Sequence, residues 1–218
     1  MCNLYSITSG PRAIQEFTQA ILNAAGNLQP LPAVFPDTAA PIVRHGETGR
    51  ELALARWGMP SPAFALKNRA TDPGVTNIRN TKSPHWRRWL GSEHRCVVPF
   101  NAFSEYDTDE NGKKVPVWFA ASHERPLLAF AGLWTNWTSV RRKAEGEVSV
   151  DCFGFLTTEA NRTVGEVHPK AMPVILQNAE DIECWMKAPW SEAAELQRPL
   201  PDRLRRIVAR GERHDGVG

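Results

Sequence analysis

Cys96-Val97-Val98-Pro99-Phe100 and Val115-Pro116-Val117-Trp118-Phe119-Ala120 decide the fold class. Both are short apolar runs rich in β-branched and aromatic residues, the pattern of a core strand. Between them, Asp107 to Lys114 carries Asn111-Gly112, a hairpin signal because both turn positions favour a positive φ. Leu127 to Trp134 and Val148 to Thr157 read as further core strands, as do Leu52 to Trp57, stopped by Gly58 and Pro60, and Met172 to Leu176. Helices are fewer. Pro11 to Ala25 places Ile14, Phe17, Ile21 and Leu22 on one face, with Pro11 at its start and Gly26 at its stop. Ser83-Pro84 opens a short helix closed by Gly91, and Asn178 caps one that buries Ile182, Trp185 and Met186. Residues 27–41 are Pro-rich and are expected to form an irregular surface loop. Strands that follow one another without intervening helices predict an α+β domain over residues 1–210, with a mostly antiparallel sheet or barrel core and peripheral helices. A disordered tail is expected over 211–218.

A chain of 218 residues that is 42% apolar, with eight tryptophans, can bury a real core and is not disordered. Its apolar runs fall far short of a membrane span, and the first twenty residues mix Asn, Arg, Gln and Glu with apolar positions, unlike a signal peptide. The four cysteines (Cys2, Cys96, Cys152 and Cys184) form no C-x-x-C pair; buried thiols are the better reading over a zinc site, and a cytoplasmic location is expected. A net charge of +2 does not announce a nucleic-acid binder, so any such function rests on a local patch.

Four positions offer chemistry. Cys2 stands directly behind Met1, so removal of Met1 makes it an N-terminal cysteine with an amine and a thiol on adjacent carbons. A 1,2-aminothiol traps an aldehyde through its amine and closes a thiazolidine through its thiol. With a reference pKa near 7.7–8.0 against about 10.4 for lysine, that amine is more often neutral at pH 7 by roughly 10²–10³ fold. A second-position cysteine can equally be an accident of translation. Glu105, between Phe103 and Tyr106, is either a general acid/base with a raised pKa or a solvent-facing loop glutamate. His168 either moves protons near neutral pH or is a structural loop histidine, and Asn77 either orients a substrate or caps a turn. Finally, Arg79, Lys82, Arg87, Arg88 and Arg95 surround Trp86 and Trp89. That mixture suits single-stranded nucleic acid, with cations on phosphates and rings on bases. It also suits an amphipathic helix with tryptophans inside and arginines solvated.

Taken in order, seven segments resemble one family. They are Met1-Cys2, Arg56-Trp57-Gly58-Met59-Pro60, Thr76-Asn77-Ile78-Arg79-Asn80-Thr81, and Arg95-Cys96-Val97-Val98-Pro99 leading to Glu105. Ala129-Phe130-Ala131-Gly132-Leu133-Trp134, Thr157-Thr158-Glu159-Ala160-Asn161, and His168 followed by Met172-Pro173-Val174-Ile175-Leu176 complete the set. Their order and spacing are similar to the SRAP (SOS-response-associated peptidase) family, which processes abasic sites in DNA. The resemblance implies a partner, single-stranded or single-strand/duplex junction DNA containing an abasic site. It further implies a covalent thiazolidine between Cys2 and the ring-opened deoxyribose aldehyde, with Asn77 near the N-terminus and Glu105 and His168 transferring protons. Arg79 matches a phosphate-contacting arginine; Trp57, Arg87, Arg88 and Lys170 complete the expected DNA-binding set. No metal or organic cofactor is implied, no membrane is involved, and the chain is expected to act as a monomer. AP-lyase activity and self-removal of Met1 belong to the same expectation.

The chain departs from the family pattern at three places. Asn3-Leu4 replaces Gly-Arg after the cysteine, Pro169-Lys170-Ala171 is one residue longer than usual and lacks an arginine, and Ser104-Glu105-Tyr106 is less aromatic. Lysine does not reproduce bidentate arginine geometry, so these changes bear on DNA grip more than on cross-linking. Two other classes fit parts of the sequence: an N-terminal-nucleophile amide hydrolase, which needs no DNA, and a non-covalent single-stranded nucleic-acid binder, in which Cys2 is dispensable.

Overall fold

The apolar runs fold as β-structure and close on themselves. The computed structural model describes residues 2–67, 69–202 and 206–216. In chain order the strands are β1 (Leu4–Ile7), β2 (Leu22–Asn23), β3 (Leu31–Val34), β4 (Ala39–His45), β5 (Arg50–Trp57), β6 (Asn77–Ile78) and β7 (Arg95–Phe100). They continue with β8 (Ala102–Thr108), β9 (Lys114–Ala120), β10 (Leu128–Val140), β11 (Glu147–Thr158), β12 (Met172–Pro173), β13 (Ile175–Leu176) and β14 (Arg206–Arg210). The helices are α1 (Pro11–Thr18), α2 (Pro84–Arg87), α3 (Arg162–Gly165), α4 (Ala179–Lys187) and α5 (Trp190–Ala193).

One sheet runs β14-β9-β8-β1-β3. In the other, β11-β10-β7-β4-β5 is a continuous path, and β5 also pairs in parallel with β11 (Arg56 with Cys152, Trp57 with Phe153). That return contact makes a closed five-stranded barrel, which leaves these strands no open edge. The main apolar core joins the barrel to the first sheet, whose other face buries Leu4, Ala102, Trp118 and Ala120. Tyr5 of β1 meets Trp57, Phe130 and Phe155 edge-on, and Phe100 stacks on Phe130 at 3.8 Å. Such ring pairs add directional packing to a large burial of apolar area.

The sequence reading needs correction at several elements. The first helix stops at Thr18, because Gln19 takes a left-handed conformation (φ 56°) and Arg50 takes up the Thr18 carbonyl at 2.9 Å. Ile21 is left 64% exposed, and Leu22 enters a strand beside β5 instead of extending the apolar helix face. Residues 27–41 contain β3 and the start of β4; Pro32 sits on the edge strand β3, and Pro41 lies outside the one position, Val43, where β4 pairs with β7. The single strand expected over Met172 to Leu176 is two, because the chain passes from β11 to β10 there, with Val174 bridging both.

The tail expected to be disordered over 211–218 is tied down at Asp215, and residues 217–218 lie outside the described residues. Asp215 is buried, accepts a hydrogen bond from Ser6 at 2.7 Å and pairs with Arg125 at 2.7 Å, while its amide reaches the Pro32 carbonyl. The Asn178 cap on α4 forms as read, accepting from the Asp181 amide at 2.8 Å. Among the described residues, no helix is long and apolar enough to cross a membrane.

Candidate active site

β1 lies antiparallel to β8 with Leu4 opposite Ser104, and this register carries Cys2 and Asn3 alongside Glu105 and Tyr106. From the other side comes β6, held against β11 with Asn77 level with Phe155. Gly154 makes that approach possible, since a methyl there would sit 2.9 Å from the Val75 carbonyl oxygen. Asn77 then donates from Nδ2 to the Cys2 carbonyl at 2.8 Å and to Thr76 Oγ1 at 2.8 Å, while Thr76 Oγ1 reaches Asn3 Oδ1 at 3.3 Å. Asn77 therefore fixes the backbone of the N-terminal segment. Its Oδ1 is buried with no hydrogen-bond partner among the described residues.

The electrostatics follow from burial. Cys2 is fully covered, and burial followed by the nearby charge of Glu105 pushes its thiol well above the ordinary thiol range. Glu105 is 2% exposed, not on a loop but inside β8, and burial pushes its carboxyl up to about 7 while the positive amino terminus pulls it back. A carboxyl that titrates near neutrality can both give and take a proton. His168 follows α3, whose first turn is capped by Asn161 (Val164 amide to Oδ1, 3.0 Å), and its own amide closes on the Val164 carbonyl at 2.7 Å. It is half-buried; burial, then the amino-terminal charge and Lys170, lower its pKa, so the imidazole is neutral at pH 7. Glu105 and His168 both feel the amino terminus, and Cys2 feels Glu105. Asn77 and Glu105 thus flank Cys2 although they lie far apart in sequence, and His168 lies within electrostatic reach of the same amino terminus.

The expected DNA-binding residues divide. Arg79, Arg87, Arg88 and Lys170 are exposed. Arg79 donates to the Thr158 carbonyl at 2.6 Å and the Lys170 carbonyl at 3.2 Å, tying the end of β11 to the loop after His168. Trp57 is not on the surface. It is 0% exposed, stacks on Phe155 at 5.2 Å and donates from Nε1 to the Thr76 carbonyl, so it supports the segment next to Asn77 rather than a base. Trp86 and Trp89 are core residues as well, 7% and 3% exposed; the amphipathic-helix reading holds for them, with Arg88 lying 5.1 Å over the Trp89 ring. Arg95 is 2% exposed and donates to the Trp185 and Ala188 carbonyls at the end of α4, which makes it a helix cap and not a phosphate contact.

Thr76 is a site residue whose bonds to Asn3 and Asn77 the sequence reading missed. The burial of Glu105 was signalled by its i, i+2 alternation with Phe103, which places both on the inner face of one strand. Cys96 and Cys152 are buried thiols, and no group of three or more His, Cys, Asp or Glu among the described residues is placed to hold a metal.

Solved structures of similar fold are found. A protein from Bordetella bronchiseptica aligns with TM-score 0.70 and 22% identity over 96% of this chain and 98% of its own. A protein from Bacteroides thetaiotaomicron aligns with TM-score 0.66 and 20% identity over 94% and 90%, respectively. A phage-related protein from Bordetella bronchiseptica aligns with TM-score 0.67 and 22% identity over 94% and 92%. These likenesses establish the shared fold. No match is found among curated proteins. The family described as SOS response associated peptidase matches residues 1–209, nearly the whole chain. With the family's segments in order along the sequence and its fold in the structure, the chain belongs to the SOS response associated peptidase (SRAP) family.

Proposed function

We propose that this protein captures abasic sites in DNA through a covalent bond to Cys2. Loss of Met1 creates the α-amine of Cys2. The neutral amine adds to the aldehyde carbon of the ring-opened deoxyribose, and the resulting carbinolamine loses water as Glu105 delivers a proton to the departing hydroxyl. The thiol then adds to the imine carbon, its sulfur forming the second bond to that carbon while its proton ends on nitrogen. The balance is aldehyde plus aminothiol giving thiazolidine plus one water. Asn77 holds the Cys2 carbonyl while this happens, and His168, neutral at pH 7, is suited to take the proton released at the sugar hydroxyl as the ring opens. Run backwards, the same groups reverse the link, and AP-lyase activity would draw on the same Schiff base. Exposed Arg79, Arg87, Arg88 and Lys170 would engage phosphates of single-stranded or junction DNA.

The observation that carries this reading is the Glu105 carboxyl, buried in β8 alongside the end of β1 that carries Cys2. A covalent trap needs a nucleophile and a proton donor in one water-poor place, and a simple nucleic-acid binder needs neither. The test is denaturing electrophoresis after incubation with abasic single-stranded DNA, the N-terminus first checked by mass. A shifted band that needs the abasic aldehyde and is lost in Cys2→Ala supports the reading. No band from protein that has lost Met1 refutes it, and salt-sensitive binding without a covalent product would indicate the plain DNA binder.

A further inference from the structure

The surface beyond Arg79 continues into a second site. Arg79, Lys82 and Thr158 line a small pocket of about 250 Å³, which shares Thr81, Lys82 and Gln197 with a cavity of about 950 Å³. The larger cavity lies between the segment around Arg87–Arg95 and the turn from α4 to α5. Its size is at the upper end of ligand-binding pockets, about 300–1,000 Å³. The shared wall is firmly built. Gln197 donates to the Arg79 carbonyl at 2.8 Å and the Thr157 carbonyl at 3.0 Å, and accepts from Thr81 Oγ1 at 3.2 Å. The two pockets therefore adjoin as one track, which begins at Arg79, two residues beyond Asn77.

Charge and shape say what fits that track. Lys82, Arg87 and Lys187 line the cavity with exposed side chains, and Glu93 is the carboxylate that lines it with them. Lys187 is held by Glu183 at 2.6 Å, whereas Lys82 and Arg87 make no ion pair among the described residues, the Arg87 guanidinium donating instead to the Lys82 carbonyl at 3.2 Å. On the inner side stands Trp190, half-buried and edge-on to Trp185 at 6.1 Å. Cations drawn from two separate segments, Lys82 and Arg87 around α2 and Lys187 at the end of α4, match successive phosphodiesters better than a single free phosphate group. An aromatic wall beside them suits a base.

We propose that the α4–α5 cavity receives the DNA strand flanking the abasic site on one side, with Lys82, Arg87 and Lys187 on its phosphates and Trp190 against a base. This rests on the reading of the protein as a single-stranded DNA binder, and it extends the footprint to residues outside the cross-linking site.

The test uses fluorescence anisotropy with undamaged single-stranded oligonucleotides: a core, and the core lengthened by about four nucleotides on its 5′ or its 3′ side. The wild type is expected to bind one of the two extended strands roughly tenfold tighter than the core. The double variant Lys82→Gln/Lys187→Gln should lose that gain, with a salt slope shallower by about 1.4, two phosphate contacts at about 0.7 each. Trp190→Leu should lower the gain and leave the slope unchanged. Absence of a gain on both sides, or a gain that survives the double variant, overturns the proposal; a gain indifferent to Trp190→Leu overturns the base contact. Cross-linking of an abasic core oligonucleotide by the wild type is scored separately. Its failure beside an intact extension gain removes the Cys2 chemistry and leaves the cavity assignment standing.

Discussion

Glu105→Gln is expected to stabilise the protein above neutral pH while removing its chemistry. The side chain is 2% exposed, and burial pushes its carboxyl from the ordinary 4.5 to about 7. A group whose folded pKa lies above its unfolded value holds its proton more tightly in the folded state. The folded state therefore loses stability as pH rises from about 4.5, and the loss is complete once pH passes about 7. That interval, at about 1.4 kcal/mol per pH unit, amounts to roughly 3 kcal/mol. Glutamine has nearly the same shape and does not titrate. Urea unfolding of both proteins at about pH 4.5, 6 and 8 should show the variant gaining on the wild type across the series by that amount. A stability difference that stays flat with pH, or that moves the other way, refutes the argument that Glu105 is a destabilised buried carboxyl. The same variant should cross-link abasic DNA about 10²–10⁴-fold more slowly, the usual worth of a general acid.

Cys2→Ser keeps the amine and loses the thiol, so its adduct should form but dissolve on heating in neutral buffer; an adduct as durable as that of the wild type would contradict ring closure by sulfur. Because burial holds the His168 pKa below its ordinary 6.5, its protonation should steepen the fall in cross-linking rate only below that value, on top of the loss of neutral Cys2 amine that begins near pH 8. His168→Asn should flatten this acid limb, and an unchanged profile would remove the residue from the reaction. Trp86→Ala should cost about 3–5 kcal/mol in unfolding experiments, as a core truncation, while leaving the salt dependence of DNA binding intact; a changed slope with unchanged stability would restore the surface reading. Asp215→Ala, which strips a buried partner from Arg125, should destabilise by about 3–5 kcal/mol, measured the same way, if the tail is held as described.

Strands rich in β-branched and aromatic residues were legible because the whole run is buried: every residue of β7 is inside. Where a strand runs out of the core, the signal fades. β10 extends past Trp134 with no alternation to mark it, because Asn136 to Thr138 are all exposed along the arm that pairs with β11. Proline hid β3 and β4, and Ile21 and Leu22, at helical spacing from Ile14 and Phe17, extended α1 past its end.

The candidate site divides the same way. Its residues could be named from order and spacing, but the approach of positions 2, 77 and 105 could not be read, because they are joined only by barrel closure and the β1–β8 register. Charge was misread where partners are distant: Arg95 looks like a surface cation until the end of α4, some ninety residues on, takes its guanidinium. Tryptophans at i, i+3 fit a base platform and a buried helix face equally well, and only packing separates the two.

The most direct test of the central claim is mass spectrometry of the N-terminal peptide recovered from the DNA-linked protein. The account expects a peptide that begins at Cys2, lacks Met1, and carries the sugar fragment with the loss of one water. Attachment at a lysine, or linkage to a peptide that still begins at Met1, would contradict it.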